Sequence, residues 1–234
     1  MSGKLYLIPT TLGDSPIDLV IPNLVSAQIK AIKYFIVEDI RTTRRFLKKV
    51  DKDIDIDALT FFTLNKHTSP KDKSNFLLPA KEGHDIGIIS EAGCPGIADP
   101  GADIAAEAHI KKIQVIPLVG PSSILLILMA SGLNGQNFAF NGYLPIKPDE
   151  KAKRVRQLEG RSRSENQTQA FIEAPYRNNK MIQDLISLLH PNTRLCIACD
   201  ITLDTEFIQT KTIAEWKKQT PDLHKRPTMF AFLA

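Results

Sequence analysis

Residues 85–101, with the sequence DIGIISEAGCPGIADPG, give the clearest indication of the fold. They begin with an apolar run over positions 86–89, which is typical of a buried strand. Five glycine and proline residues then fall within positions 93–101, where proline removes a hydrogen-bond donor and glycine permits backbone conformations that other residues avoid. An ordinary strand-to-helix connection is the alternative, but it needs fewer such residues. The stretch predicts a strand, a ligand-binding loop, and a helix that Asp99 caps and Pro100 begins.

The same order of strand and helix repeats on both sides of this stretch. Apolar runs that predict strands lie at residues 4–9, 34–38, 59–64 and 113–118, and patterns of helical period, including one over 69–81, lie between them. This alternation predicts a mostly parallel sheet with helices on both faces.

The rhythm changes after residue 118. Strand patterns follow at 138–143, 170–173, 193–199, 205–210 and 228–233, several of them without a helix between them. Residues 160–169 contain no apolar side chain and predict a mobile loop. We therefore predict two α/β lobes, residues 1–118 and 119–234, of which the second contains a mixed sheet.

Composition and charge exclude some classes of protein. Apolar residues make up 43% of the chain and charged residues 24%, as in soluble globular proteins. The longest apolar stretch, 124–130, is too short to span a bilayer, and the first residues lack the apolar run of a signal peptide. A cytoplasmic protein without a membrane partner is expected. The net charge of +4 permits a nucleic-acid partner without requiring one.

Cys196 and Cys199 form a C-x-x-C pattern that resembles redox and metal motifs. It falls within a predicted strand, where residues three apart point to opposite faces, and no second Cys or His pair is spaced to complete a zinc site. Small buried core residues and the absence of a metal are therefore predicted.

The chain also has no G-x-G-x-x-G after its first strand, no Walker A sequence, no H-E-x-x-H and no G-x-S-x-G, which weakens the usual dinucleotide, nucleotide and hydrolase interpretations.

Several blocks resemble a known family. They occur in the order PTTLGD (9–14), VEDIRTTRRFL (37–47), IISEAGCPGIADPG (88–101), PLVGPSS (117–123), ASGL (130–133), FNGYLP (140–145) and FIEAPYR (171–177). The blocks resemble those of the class III, tetrapyrrole methylase-like, S-adenosylmethionine-dependent methyltransferases. Among these they are most similar to the bacterial family that methylates a cytidine 2'-oxygen in small-subunit ribosomal RNA.

The chain departs from the family pattern at single positions within these motifs. P-T-P-I-G-N, E-D-T-R, D-A-G-T-P, E-S-P-H-R and E-L-T-K are altered here, among other changes, at Thr11, Ile40, Cys94, Tyr176 and Leu203. Blocks on the cofactor side are kept better than those on the substrate side. This indicates a divergent member that keeps the cofactor, with its substrate open to change.

The resemblance implies that S-adenosylmethionine lies folded in a cleft between the two lobes. The residues implied to bind it are Pro9, Ser90, Glu91, Ala92, Gly93, Cys94, Pro95, Ile97, Asp99, Ser122, Ser123, Ile172, Ala198 and Thr228. For the two serines, capping of the helix that follows Pro121 is an equal alternative.

A ribose 2'-hydroxyl must lose its proton as it attacks, so a nearby carboxylate would assist it. The candidates are Glu38, Asp39 and Glu173, all at predicted strand ends. The predicted substrate-binding residues Arg41, Arg44 and Arg177 suit phosphate contacts. Structural ion pairing is the alternative for each of these groups, and a solvated surface charge is a further one for Glu173.

Two basic clusters favour RNA over a small substrate. The first contains Arg41, Arg44, Arg45, Lys48 and Lys49, and the second contains Lys147, Lys151, Lys153, Arg154, Arg156, Arg161 and Arg163. Solvated faces are the alternative, above all for the second cluster.

Three functions follow from the resemblance and stay open at this point. They are methylation of a ribose in ribosomal RNA, methylation of a tetrapyrrole or another small molecule, and binding of the cofactor without turnover. A homodimer is expected from the resemblance alone.

Overall fold

The computed structural model describes residues 2–65 and 67–234. The chain divides into two units, residues 1–122 and 123–234. The boundary that the sequence predicted, between 118 and 119, lies a few residues before this division.

The first unit contains five parallel strands, in the order β3-β2-β4-β1-β5. The strands are β1 (Leu5–Ile8), β2 (Tyr34–Val37), β3 (Thr60–Thr63), β4 (Ile86–Ile89) and β5 (Val115–Pro117). The helices are α1 (Ile17–Val20), α2 (Asn23–Ala31), α3 (Ile40–Val50), α4 (Pro70–Asn75), α5 (Leu78–Lys81) and α6 (Gly101–Ile110). A single 3-10 turn, Ile56–Ala58, precedes β3.

Two separate cores show that helices cover both faces of this sheet, as predicted. On one face Ile8 and Phe35 pack with residues of α2 and α3. On the other face Ile86 and Ile88 pack with residues of α5 and α6, among them Ile104. This double burial explains why the central strands are continuous apolar runs rather than alternating ones.

The second unit contains a mixed sheet in the order β6-β7-β10-β8-β9. Only β6 and β7 pair in parallel, and the other neighbours are antiparallel. The strands are β6 (Phe138–Tyr143), β7 (Thr168–Ile172), β8 (Arg194–Cys199), β9 (Phe207–Thr212) and β10 (Thr228–Leu233). The helices are α7 (Ser123–Ser131), α8 (Pro148–Glu165), α9 (Asn178–Leu188) and α10 (Ile213–Trp216), and a 3-10 turn at Pro175–Arg177 precedes α9. The core that α8, α9 and α10 form with one face of the sheet includes Phe171 and Phe230.

Residues 160–169 are not the loop that their polarity predicted. Helix α8 continues to Glu165, and β7 begins at Thr168. The buried face of α8 carries Val155, Leu158 and Ser162. Ser162 is small and lies at the helical spacing, so it continues the row of buried side chains while the exposed face of the helix remains polar. The helix ends at Asn166, whose positive φ of 48° is typical of a left-handed cap.

The single helix predicted over residues 69–81 is also wrong. The segment forms two short helices, α4 and α5, which are separated at Phe76 and Leu77. Pro79 lies in the first turn of α5. Proline has no N–H to donate to the preceding turn and clashes with it, so it ends one helix and starts the next.

Helix α6 begins one residue later than the sequence predicted. Pro100 precedes the helix and Gly101 is its first residue. Asp99 still provides a hydrogen-bond acceptor at the start of this helix, because its Oδ1 accepts from the Gly101 N–H at 2.6 Å.

Candidate functional site

The carboxyl ends of three adjacent strands form the candidate site of the first unit. Strand β4 lies between β1 and β2 and is parallel to both. The segments that follow these strands begin at Pro9, Ser90 and Glu38, so they meet at one edge of the sheet. This edge of an open parallel sheet is where α/β proteins bind ligands.

The loop after β4 is held in an unusual backbone conformation. Gly93 and Gly96 have φ values of +71° and +82°, and Ala98 also has a positive φ, of +61°. The Asp99 carboxylate accepts from the Gly96 N–H at 2.9 Å and from the Gly101 N–H at 2.6 Å. The Asp99 side chain therefore closes the loop. Its carboxylate already accepts hydrogen bonds within the loop, and the cofactor contact predicted for Asp99 stays a prediction.

The loop also joins the end of β1. The Thr10 N–H donates to the Gly93 carbonyl at 2.9 Å, and the two residues form an isolated antiparallel bridge. Pro9 lies against Gly120, because a Cβ on this glycine would fall 2.3 Å from the proline Cγ. The S–H of Cys94 donates to the Pro121 carbonyl at 3.4 Å. Three of the sequence blocks thus meet at this edge.

Ser90 is the polar group of this edge that lacks a partner. It is buried, and its Oγ makes no hydrogen bond with any residue that the structure describes. It lines a cavity with Thr10, Thr11 and Arg45, and a smaller one with Glu38 and other residues. A buried hydroxyl without a partner is costly unless a ligand or water satisfies it, so Ser90 fits a polar ligand at this edge.

Glu38 is the carboxylate best suited to accept a proton here. It is half-buried at the end of β2, and its Oε1 accepts from the Glu91 N–H at 3.4 Å. Burial raises the pKa of Glu38, the Glu91 N–H lowers it, and the negative charges of Asp99 and Glu91 raise it further. A raised pKa brings a carboxylate closer to the range in which it works as a general base.

Asp39 is engaged at the start of α3. Its Oδ1 accepts from the Thr42 N–H at 2.7 Å, which makes it the cap of that helix. The Thr42 backbone hydrogen bond is the main cause of its lowered pKa. A lowered pKa weakens Asp39 as a base, so its predicted catalytic role stays a prediction that this geometry does not favour.

The first basic cluster forms the exposed face of α3. Arg41, Arg44 and Arg45 are exposed and line one shallow depression together with Glu38 and Asp39. Arg44 also lies over the Phe61 ring, 5.7 Å from its centroid. The structure thus places the predicted substrate residues Arg41 and Arg44 beside two predicted catalytic carboxylates.

The remaining predicted cofactor residues of the first unit differ in exposure. Pro95 is buried, whereas Glu91, Ala92 and Ile97 are exposed. Ser122 and Ser123 are half-buried and lie on either side of the division between the units, with Ser123 as the first residue of α7. Both alternatives for these serines, a cofactor contact and the start of the helix, therefore stay open.

Three of the predicted cofactor residues come together in the second unit. Met229 of β10 pairs with Ile172 of β7 on one side and with Ala198 of β8 on the other. Ile172, Met229 and Ala198 therefore lie in one row on the same face of the sheet. Thr228 is next to Met229, and its hydroxyl donates to the Arg226 carbonyl at 3.0 Å. Sequence reasoning missed Met229, because strand register is needed to place it in the row.

Glu173 and Arg177 pair with each other. Oε1 of Glu173 accepts from the Arg177 Nε at 2.8 Å and from the Ala174 N–H at 2.7 Å. The Glu173 side chain is 1% exposed, so it is not a solvated surface charge, and that of Arg177 is 26% exposed. The hydrogen bond with Glu173 is the main cause of the raised pKa of Arg177. Structural pairing, one of the alternatives that the sequence left open, is what the geometry shows.

The second basic cluster lies on α8 and is only partly available. Lys151 is buried in an ion pair with Asp184, at 2.9 Å, and Arg161 pairs with Glu165 at 3.1 Å. Lys153, Arg156 and Arg163 are exposed. These three exposed cations suit a contact with phosphates.

The cysteines of the C-x-x-C pattern are buried and unpaired, as predicted. They lie three residues apart in β8, so they point to opposite faces of the sheet. Burial raises the pKa of both thiols.

Within residues 2–65 and 67–234 no group of three or more metal-ligating side chains is found. No helix in the same described part is long and apolar enough to cross a bilayer.

Relatives of known name identify the family of this chain. The chain is 30% identical over 229 residues to the ribosomal RNA small subunit methyltransferase I of Buchnera aphidicola subsp. Schizaphis graminum, an alignment that covers 96% of this chain and 76% of that protein. The chain belongs to the ribosomal RNA small subunit methyltransferase I family. The member of this family from Escherichia coli O157:H7 is 27% identical over 226 residues, with 95% of this chain and 75% of that protein covered. No protein-family model matches the chain.

Solved structures agree with the fold of this chain. The methyltransferase CobJ matches with a TM-score of 0.63 and 19% identity, over 99% of this chain and 94% of that one. The native uroporphyrin III C-methyl transferase from Thermus thermophilus matches with a TM-score of 0.56 and 15% identity, over 99% and 97% of the two chains. At these identities they establish the two-part α/β methylase fold alone.

The departures of this chain from the family motifs fall in different environments. Thr11 lines the cavity beside Ser90, Ile40 is the first residue of α3, and Cys94 contacts Pro121. Tyr176 is exposed, and the Leu203 N–H donates to the Asp200 carbonyl at 2.9 Å in the turn after β8.

Two groups near Thr228 were not predicted. Asp200 is buried and accepts from the Arg226 Nε at 2.8 Å. Asn178 is fully buried, and its Nδ2 donates to the Arg226 carbonyl at 2.7 Å, while its Oδ1 has no partner in the described part of the chain. No local sequence signal marks them, because their partners lie 26 and 48 residues away.

Proposed function

We propose that the chain transfers a methyl group from S-adenosylmethionine to a ribose 2'-oxygen of small-subunit ribosomal RNA. The observation that carries the proposal is the kinked loop after β4, with buried Ser90 beside partly buried Glu38, in a member of the ribosomal RNA small subunit methyltransferase I family.

The residues at the carboxyl edge fit the cofactor. Ser90 offers a buried hydroxyl that no described residue satisfies. Gly93 and Gly96 allow the loop backbone to approach a ligand closely. Bound S-adenosylmethionine would supply the methyl group. The loop would hold and orient it, and positioning of this kind contributes much of the rate in a transfer between two bound groups. The contacts proposed for Ile172, Ala198 and Thr228 rest on the family resemblance and, for Ile172 and Ala198, on their common row with Met229 in the sheet of the second unit.

Glu38 is the proton acceptor that we assign to the 2'-hydroxyl. Among the three carboxylates that the sequence suggested, Asp39 caps α3 and Glu173 is paired with Arg177. Glu38 has one long hydrogen bond and a raised pKa. Arg41 and Arg44, exposed nearby on α3, would hold the RNA phosphates.

The proposed function is tested by transfer of labelled methyl to the RNA of a strain that lacks the gene. We expect label in small-subunit ribosomal RNA, at a ribose that becomes resistant to alkaline cleavage. RNA from the parent strain, already methylated, is the control and should accept little label. Label confined to porphyrinoids or other small molecules would reject the RNA proposal and support the second interpretation. Binding of S-adenosylmethionine without any transfer would support the third.

Replacing both Arg41 and Arg44 with glutamine is expected to weaken RNA binding and to flatten its salt dependence. Each lost contact with a single-stranded phosphate lowers the slope of log K against log salt by about 0.7, so the double variant should lose about 1.4. Fluorescence anisotropy over a salt series measures the slope. Lys30→Gln is the matched control, since Lys30 is an exposed cation of the same unit that is already paired with Asp51 at 2.9 Å. An unchanged slope would contradict a phosphate role for α3.

We also propose that the protein forms a homodimer, as the resemblance implies. The support from the structure is α7, which is apolar on all sides and exposes Leu125 and Met129. Exposed apolar side chains on one helix suit a contact with a second copy. A mass of one chain in sedimentation equilibrium at micromolar concentration would contradict this.

A further inference from the structure

Two tyrosines of the second unit are exposed, whereas the aromatic side chains of its core are buried. Tyr143 is 61% exposed and Tyr176 is 64% exposed. By contrast, Phe171, Phe230 and Trp216 are at most 1% exposed. Exposing a large ring to water leaves apolar area unburied, so two such rings in one neighbourhood indicate a contact surface.

Backbone pairing brings the two tyrosines to the same end of neighbouring strands. Tyr143 is the last residue of β6 and pairs with Ile172, the last residue of β7. Tyr176 lies four residues beyond Ile172, in the 3-10 turn Pro175–Arg177. Of the two hydroxyl groups, that of Tyr176 accepts a hydrogen bond from Arg177 Nη1.

The pair of Glu173 and Arg177 holds the Tyr176 ring in place. The guanidinium carbon of Arg177 lies 5.2 Å from the Tyr176 ring centroid, and its Nη1 donates to the Tyr176 hydroxyl at 3.1 Å. Because the buried Glu173 carboxylate fixes the guanidinium, Tyr176 loses less conformational freedom when a ligand binds. An arginine already neutralised in this way is a poor phosphate clamp and a good support for a ring.

Tyr143 is positioned by a break in the strand pairing. The register between β6 and β7 shifts between Phe140 and Tyr143, and Gly142 between them has a φ of +62°. A bulge of this kind redirects the side chain that follows it. The next residue, Leu144, is buried in the core and anchors the strand end.

We infer that Tyr143, positioned by the bulge in β6, and Tyr176, supported by Arg177, form a stacking platform for unpaired bases of the RNA substrate. Rings that are exposed and held in place suit nucleobases, because single-stranded RNA is bound largely by stacking on aromatic side chains and arginine planes. The platform rests on the proposed function and adds to it the class of substrate: a single-stranded segment, gripped through its bases.

The test compares two probes: an oligocytidine of about 12 nucleotides and a ribose-phosphate oligomer of the same length without bases. Tyr143→Ala and Tyr176→Ala are each expected to weaken oligocytidine binding roughly 5- to 150-fold, with an unchanged salt slope. Neither should alter binding of the oligomer without bases. Tyr143→Phe and Tyr176→Phe should bind oligocytidine as the unaltered protein does, because they keep the ring. Phe138→Ala, on the same strand as Tyr143 and 40% exposed, is the matched control and should change nothing.

The outcomes separate the platform from the proposed function. Unchanged binding by the alanine variants, or an equal loss for both probes, would overturn the platform while the unaltered protein still labels ribosomal RNA. A loss in the phenylalanine variants as large as in the alanine variants would also overturn it, since a hydroxyl contact would then be responsible. If the unaltered protein neither labels nor binds RNA, the proposed function fails and the platform fails with it.

Discussion

Glu38→Gln is expected to lower the rate of methyl transfer by roughly 10²- to 10⁴-fold, the usual contribution of a positioned general base. Binding of S-adenosylmethionine should be unchanged, because glutamine keeps the shape of the side chain and an oxygen for the Glu91 N–H. Single-turnover transfer of labelled methyl to RNA measures the rate, and calorimetry measures the cofactor affinity. Glu82→Gln, an exposed position of the same unit, is the control.

The pH dependence gives an independent check on Glu38. Its pKa is raised in the folded protein, chiefly by burial. The rate for the unaltered protein should therefore rise with pH through this raised value, above the range of an ordinary glutamate, and the glutamine variant should lack that acid limb.

The raised pKa of Glu38 also affects the pH dependence of stability. A raised carboxyl pKa contributes stability only at low pH, and this contribution is lost as the pH rises through the folded pKa. At neutral pH the variant should be at least as stable as the unaltered protein. A variant that transfers methyl at the full rate would exclude Glu38 as the base.

Arg177→Met should destabilise the second unit by about 3 kcal/mol, the lower end of the range for breaking a buried ion pair. The reason is that Glu173, with a side chain 1% exposed, would keep a buried charge that only the Ala174 N–H still satisfies. Urea unfolding followed by circular dichroism measures the free energy.

A second substitution separates the ion pair from other effects at Arg177. In Arg177→Met with Glu173→Gln the unpaired charge is gone, so much of the lost stability should return. Arg194→Met is the control, because Arg194 is exposed and its guanidinium makes one long hydrogen bond, 3.4 Å, to the Gly132 carbonyl. If Arg177→Met were as stable as this control, the ion pair of Glu173 and Arg177 would not stabilise the fold. A role for Arg177 in substrate binding would then be favoured again.

The parts of the fold that could be predicted depend on local patterns. The apolar run before Ser90 and the glycines and prolines after it specify a strand and a kinked loop within 17 residues, and the structure contains both. Cys196 and Cys199 could be placed on opposite faces because strand alternation is local too. The loop predicted over residues 160–169 is wrong, because the continuation of α8 depends on Ser162 packing in a stripe with Val155 and Leu158.

The candidate site could be predicted only as a list of residues. Glu38, Asp39 and Glu173 are chemically similar carboxylates at strand ends, and nothing near them in the sequence tells them apart. The structure does so through their partners: one long hydrogen bond for Glu38, a helix cap for Asp39 and an ion pair for Glu173. The exposure of Tyr143 and Tyr176 likewise depends on what packs around each ring.

Hydrophobic period and the positions of glycine and proline act over a few residues, so the α/β class, the repeated strands and helices, the kinked loop after β4 and the resemblance to class III methyltransferases can be read from the linear chain. Long-range packing was needed to show which carboxylate keeps its oxygens available, that Met229 lies between Ile172 and Ala198, and which arginines are already paired. These depend on strand register and on contacts such as that between Thr10 and Gly93, 83 residues apart. Partners so distant are chosen by the whole packing of the chain rather than by its local pattern.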